Sequence, residues 1–246
     1  MKNKKRCIFL LLLLMIMFAT GVYFTNMHLR ESSVSKYLNW YNQTYPDVLT
    51  DNEKDLVIAY LNDSPISRKD LMVYAMLRSI DANYFQHIDL SDSLQDSEVL
   101  QSSFEDLLKD TLYCIWADKL SLNYTDSSVQ NWFIRVLKTQ SNSKTPNIAA
   151  KAKVQLQYRE DYQRRYDGSS ADKLIEEKYA PEGVENPIEL SQHMLELFQH
   201  EASQHSVVIL ESAPEALRTE QYLSMLKESL LLNVKVEVEP IEVPRH

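Results

Sequence analysis

The sequence predicts a mainly helical protein with a small β element, and three observations carry that expectation. Only three glycines, Gly21, Gly168 and Gly183, occur in 246 residues, too few for a sheet-rich fold built on tight turns and bulges. Several stretches repeat apolar residues at i, i+3, i+4 and i+7, the mark of a helix with one buried face. Short apolar or alternating runs at 56–61, 207–210 and 234–238 read as strands. With 44% hydrophobic and 25% charged residues, the composition is that of an ordinary globular chain.

The chain opens on a targeting element. Lys2, Lys4, Lys5 and Arg6 precede Ile8–Phe24, seventeen residues without a charge, at the short end of the roughly 17–25 that span a bilayer. The basic end stays cytoplasmic, so all that follows is expected outside, in the periplasm or on the outer membrane face. Residues 1–27 are thus expected to be a cytoplasmic tip and a single-pass transmembrane helix. Ala19-Thr20-Gly21 also supplies the small residues of a cleavage site, so a signal peptide stays open as the alternative. Cys7 precedes the apolar run, where a lipoprotein signal needs its cysteine after it, so lipidation is not supported.

Of 26 Lys and Arg, four belong to that basic end, leaving 22 against 35 Asp and Glu in the exported part, near −13. Such a balance argues against nucleic acid, whose phosphates need a basic patch, and against general adhesion to anionic lipid. Cys114 is alone in the exported part and cannot form an intramolecular disulfide there. Its place on an apolar helix stripe makes it a small core residue.

Val34, Leu38 and Tyr41 predict a short helix that Pro46 and the polar run Thr50–Lys54 end. Leu56–Leu61 is a buried strand broken by Asn62-Asp63-Ser64-Pro65, and Ser67 with Asp70 forms a capping box for the next helix. That helix carries Val73, Met76, Leu77, Ile80 and Tyr84 on one face, and a polar loop follows at 86–97. Glu98–Leu120 is the longest helical signal, with Leu100, Phe104, Leu107, Leu108, Thr111, Cys114 and Ile115 in one stripe. Thr125 is expected to cap a helix bearing Val129, Trp132, Phe133, Val136 and Leu137. After a linker at 139–146, Ile148–Tyr166 reads as one helix with a Tyr158, Tyr162, Tyr166 ladder, ended by Gly168-Ser169-Ser170. Short helices at 171–179, 187–202 and after Pro214 precede the alternating strand of Val234, Val236 and Val238. The domain expectation is an anchor at 1–27, a helical core at 28–138, and at 139–246 a helical extension with a closing helix and strand.

Two stretches carry a resemblance. Leu56–Leu71, with Asn62, Pro65-Ile66-Ser67 and Asp70-Leu71, is similar to the "V-A-x-V-N-G-x-P-I-T/S-x-x-E-L" entry of SurA- and PrsA-type extracytoplasmic chaperones. Leu107–Val129 resembles the family's second signature, "L-I-x-x-x-L-L-x-x-E-A-x-x-L-G-I-x-V-S/T-D-x-E-V", through Leu107, Leu112, Ala117, Leu120, Leu122, Thr125, Asp126 and Val129. Asp63 and Ser121 stand where the family has glycine, and Trp116 where it has Glu. The resemblance implies a helical, SurA N-terminal-like and trigger-factor C-terminal-like domain whose closing segment returns to the N-terminal core. Pairing of 234–238 with 56–61 is therefore expected, with 207–210 as a third strand.

Family members often carry a parvulin-type prolyl isomerase domain, but 139–206 holds two glycines and helical periodicity, so that domain is expected to be absent. No catalytic residue carries over. Glu196 and His200, spaced i,i+4 near His193, Glu201 and His205, lack an obvious third ligand, so a solvated helix face is the better account. Neither metal nor cofactor is expected. What the resemblance implies is a membrane-anchored, non-enzymatic chaperone or assembly factor that transiently covers apolar segments of unfolded or partly folded exported proteins. Met72, Met76, Tyr84, Phe85, Trp132 and Phe133 are the expected contacts, because Met and aromatic surface adapts to varied apolar clients. The alternatives are a dedicated scaffold of one envelope or secretion complex and a divergent peptidyl-prolyl isomerase.

Overall fold

A computed structural model describes residues 2–180 and 187–237, with side chains from Thr25 onward except Asn26 and Pro187. The protein is mainly helical with one four-stranded sheet. Helix α1 (Lys2–Thr50) runs unbroken through Pro46, which corrects the expectation that this proline ends it. Pro46 removes one backbone donor, and burial of Tyr41, Tyr45 and Val48 on the same helix offsets the loss. Thr50 donates its hydroxyl to the Pro46 carbonyl at 2.9 Å in the final turn. Among the described residues no helix is long and apolar enough to cross a membrane. The run Ile8–Phe24, on which the anchor expectation falls, lies outside the residues whose side chains are described.

Strand β1 (Val57–Leu61) turns through Asn62-Asp63 into β2 (Ser64–Ser67), a strand the sequence reading had as part of the break. Asn62 sits in the left-handed region at φ 49°, a conformation asparagine tolerates well. Pro65 is accommodated because β2 is an edge strand. The capping box forms as expected: the Asp70 N–H donates to Ser67 Oγ at 3.1 Å, and the Ser67 N–H to Asp70 Oδ2 at 3.2 Å. It opens α2 (Arg68–Gln86). A single helical turn, α3 (Leu90–Ser93), interrupts the expected loop, with Leu90 buried.

Helix α4 (Ser97–Lys119) is the centre of the body, packed between α2 and α7 (Gln163–Tyr179). Asp126, not Thr125, caps α5 (Ser127–Gln140), accepting from the Ser128 N–H at 2.7 Å. The expected single helix over 148–166 is two, α6 (Pro146–Gln157) and α7, with the chain turning at Tyr158–Tyr162. Aromatic packing is the cause. Tyr158 leans on Tyr41 and Tyr45, with ring centroids 5.1 and 4.4 Å away, and the Tyr162 hydroxyl meets that of Tyr41 at 2.9 Å.

Gly168-Ser169-Ser170, expected to break a helix, lies inside α7. A Cβ on Gly168 would stand 2.6 Å from Asp110 Cβ and 2.7 Å from its Cα, so the missing side chain is what lets α7 approach α4. Asp110 is buried at this crossing. It accepts from the Tyr74 hydroxyl at 2.7 Å and from Arg165 Nη1 at 2.9 Å. Burial pushes its carboxyl above the ordinary aspartate range, and the Arg165 charge opposes that shift.

After α8 (Pro187–Ala202) come β3 (Ser206–Leu210), a 3-10 turn (Glu215–Leu217), α9 (Glu220–Leu230) and β4 (Asn233–Glu237). The sheet order is β2-β1-β3-β4. The closing strand therefore does not pair with β1, as expected, but lies parallel to β3, which is itself antiparallel to β1. The reason is in the side chains. Val207, Ile209 and Leu210 are buried and suit a central strand, whereas Lys235 and Glu237 suit an exposed edge. Val238 lies outside the described residues. The largest core cluster joins Ile58, Leu71 and Phe104 to Ala171, Ile175 and Leu226, so described residues from 28–138 and from beyond 139 meet in one cluster.

Candidate functional site

A groove of about 830 Å³ lies where four parts of the chain meet. The last turns of α1 supply Thr44, Asp47 and Val48, and the start of α2 supplies Arg68 and Met72. The α3–α4 region contributes Leu94, Gln95 and Leu100, and the segment after β3 contributes Ser212–Ala216. Local sequence explains each wall. The Ser67 cap fixes where α2 begins and so places Arg68 and Met72. Asp96, accepting from the N–H groups of Glu98 and Val99, starts α4 beside Leu94. Pro214 opens the 3-10 turn that carries Glu215 and Ala216.

Val48, Met72, Leu94, Leu100, Ala213 and Ala216 give the groove apolar lining, and Asp47, Asp51, Gln95 and Glu215 give it a polar and acidic component. Arg68 is held by Asp51 at 3.2 Å and Glu53 at 3.1 Å. Chemically, the arrangement suits an apolar stretch of chain flanked by polar or basic groups, since burial of apolar area supplies the attraction without demanding one geometry.

The structure brings together only some of the six expected contacts. Met72 is half-buried and lines the groove. Met76, one turn on, is wholly buried in a cluster with Tyr41, Tyr162 and Leu137, so it is core and not contact surface. Phe133 packs on the edge of that cluster, T-shaped against Tyr166 at 5.1 Å. Trp132 is half-buried under the Lys173 ammonium, 5.1 Å from the ring centroid. Tyr84 and Phe85 stand at the far end of α2, 37% and 67% exposed, edge to face at 4.8 Å. No single cradle unites the six. Val48, Leu94, Leu100, Ala213 and Ala216 are lining residues that sequence reasoning missed, and the signal for Leu94 is slight: Leu90 and Leu94 at i,i+4 within a polar run.

A smaller concavity of about 420 Å³ lies between α8 and the α4–α7 pair, with Met194, Leu195 and Phe198 facing Tyr113, Asp172 and Glu176. Tyr113 hydrogen-bonds Asp172, and burial pushes that carboxyl up to about 6. In the His/Glu cluster, His205 Nε2 lies 3.1 Å from Glu201 Oε1, and Lys119 holds the same carboxylate at 2.9 Å. These contacts make Glu201 part of an ion-pair network. Among the described residues no three His, Cys, Asp or Glu side chains are grouped to hold a metal ion. Burial pushes the Cys114 thiol up to about 12, so it stays protonated and unreactive at neutral pH.

Comparison with known proteins gives no relatives: no family model, no curated protein and no solved structure matches this chain.

Proposed function

We propose that this protein is a membrane-anchored holding chaperone or assembly factor of the SurA/PrsA type, working outside the cytoplasm without catalysis. Apolar segments of exported clients lie transiently in the groove between α1, α2 and α4, and Ile8–Phe24 keeps the body at the membrane where such clients emerge. The observation that carries the reading is the groove itself, about 830 Å³ with apolar lining beside acidic side chains. It offers room for an extended segment and contacts that do not depend on one client geometry.

The test uses the full chain in lipid nanodiscs, added to a dilute, chemically unfolded secreted protein while light scattering is followed. Suppression of aggregation near stoichiometric ratio, lost on Met72→Ser with Leu94→Ser in a still folded protein, is the expected result. Met76→Ser serves as the comparison: it destabilises the body, since emptying a buried Met site costs about 2–5 kcal/mol, and lowers activity only in step with unfolding. Unchanged scattering with a folded wild type would sink the proposal, and co-purification with one fixed partner would replace it by the scaffold reading.

A further inference from the structure

The acidic balance of the chain is not spread evenly. From Ser127 to Gln157, the whole of α5, its turn and α6, there are five basic residues, Arg135, Lys138, Lys144, Lys151 and Lys153, and no Asp or Glu. Lys151 is paired with Asp81. Arg135, Lys138, Lys144 and Lys153 are exposed.

The position of this hairpin gives the charge a meaning. Helix α6 runs beside α1 in the same direction: Ala149 and Ala150 pack with Val34 and Tyr37, and Tyr158 bonds Asn42 at 2.7 Å. The α5–α6 turn is fastened to α1 lower down, where Arg30 Nε donates to the Ser143 carbonyl at 2.8 Å. Arg30 is six residues beyond Phe24, the last of the apolar run, which is about 9 Å of helix. Each headgroup layer is about 5–7 Å deep, so a body carried on this helix holds Lys138 and Lys144 at its outer limit. Met27 and Leu29, 39% and 59% exposed, lie between. Glu31 is an exposed acid next to Arg30 on the same helix.

We infer that the α5–α6 turn, with Lys138, Lys144 and Arg30, is a seat for anionic phospholipid headgroups that sets the orientation of the body on the membrane. This rests on the anchor in the proposed function. A body near −13 does not gather on a polyanion from free solution, but a tether brings the basic hairpin to the surface without an encounter step. The acidic remainder is repelled by the same surface and turns outward. The groove, lined by Asp47, Asp51 and Glu215, turns with it, toward arriving clients.

The experiment places the full chain in vesicles of phosphatidylcholine alone, or of phosphatidylcholine with phosphatidylglycerol. Lysine acylation is then read site by site by mass spectrometry. Reactivity of Lys138 and Lys144 is expected to fall about fivefold or more in the anionic vesicles and to recover in high salt. The distant Lys227 and Lys235 should stay unchanged. A chain that floats with neutral vesicles but shows equal lysine reactivity in both lipids, or a uniform fall at every lysine, overturns the headgroup seat and leaves the anchor intact. A chain that fails to float with neutral vesicles overturns the anchor, and the seat with it. Protection of the same lysines by a DNA oligonucleotide but not by phosphatidylglycerol overturns the assignment to lipid.

Discussion

Gly168→Ala measures how tightly the two central helices are pressed together. By helix propensity alone this change in α7 should stabilise the protein by about 1 kcal/mol. The crossing predicts the opposite. The new Cβ would lie 2.6 Å from Asp110 Cβ and 2.7 Å from Asp110 Cα. Ordinary contact starts near 3.4 Å, so the helices must part by roughly 0.8 Å. Neither obstructing atom is the end of a flexible side chain, so the backbone has to move. Overpacking of this kind costs about 1–3 kcal/mol. Parting the helices also stretches the buried Asp110–Arg165 contact at 2.9 Å, and charge-assisted bonds of this sort are worth about 1.5–3 kcal/mol. Allowing for the propensity gain, the net loss should be about 2–3 kcal/mol. Urea unfolding of the full chain in detergent, followed by helical circular dichroism, reads it directly. Ser170→Ala on the same helix is the control: its hydroxyl is buried without a hydrogen-bond partner, so its removal should be neutral or stabilising by up to about 1 kcal/mol. A Gly168→Ala protein as stable as wild type, or more so, would refute the close-approach argument.

Two further outcomes follow from other contacts. Asp172 titrates in the folded protein at about 6, above the ordinary aspartate value, through burial, so between about pH 4 and 6 the folded state binds the proton more tightly than the unfolded chain. Its contribution is therefore most favourable at the acid end of that window and is lost as pH rises through 6; Asp172→Asn should flatten this slope in urea midpoints and add about 2–3 kcal/mol at neutral pH. At the β1–β2 turn, Asn62→Ala loses contacts to His205 Nδ1 at 2.6 Å and to the Ser206 N–H at 3.1 Å and puts alanine at a positive φ. A loss of about 2–3 kcal/mol is expected, with Asn62→Gly recovering about 1 kcal/mol because only the bonds are then missing.

The helical class, the capping box at Ser67 and the long central helix were legible because each rests on local spacing and local bonds. What was not legible depends on distant partners. Pro46 does not stop α1, because Tyr41 and Tyr45 on the same helix find Tyr158 and Tyr162 more than a hundred residues away. Gly168 reads as a breaker from propensity alone and is a contact point once Asp110 faces it. The place of β3 between β1 and β4 follows from burial on both sides, which an isolated apolar run of four residues cannot announce. For the site, periodicity ranked Met72 and Met76 together, although one lines an open groove and the other is sealed inside. Spacing marks which residues are apolar, and only packing decides which of them stay covered.

The strand order also bears on how the molecule is made. Ala59 and Ile209 are direct partners across β1 and β3, yet 150 residues separate them in the chain. The β1–β2 hairpin emerges well before its partner, and it must wait with one edge open until β3 has followed. Such long-range closure is slow, and a waiting strand edge is exposed to wrong pairings. Folding should therefore finish in a late step when β3 docks, with β4 and α9 sealing it. Shortening the chain from its end by even the last strand should trap a helical, half-closed intermediate rather than produce a smaller stable domain.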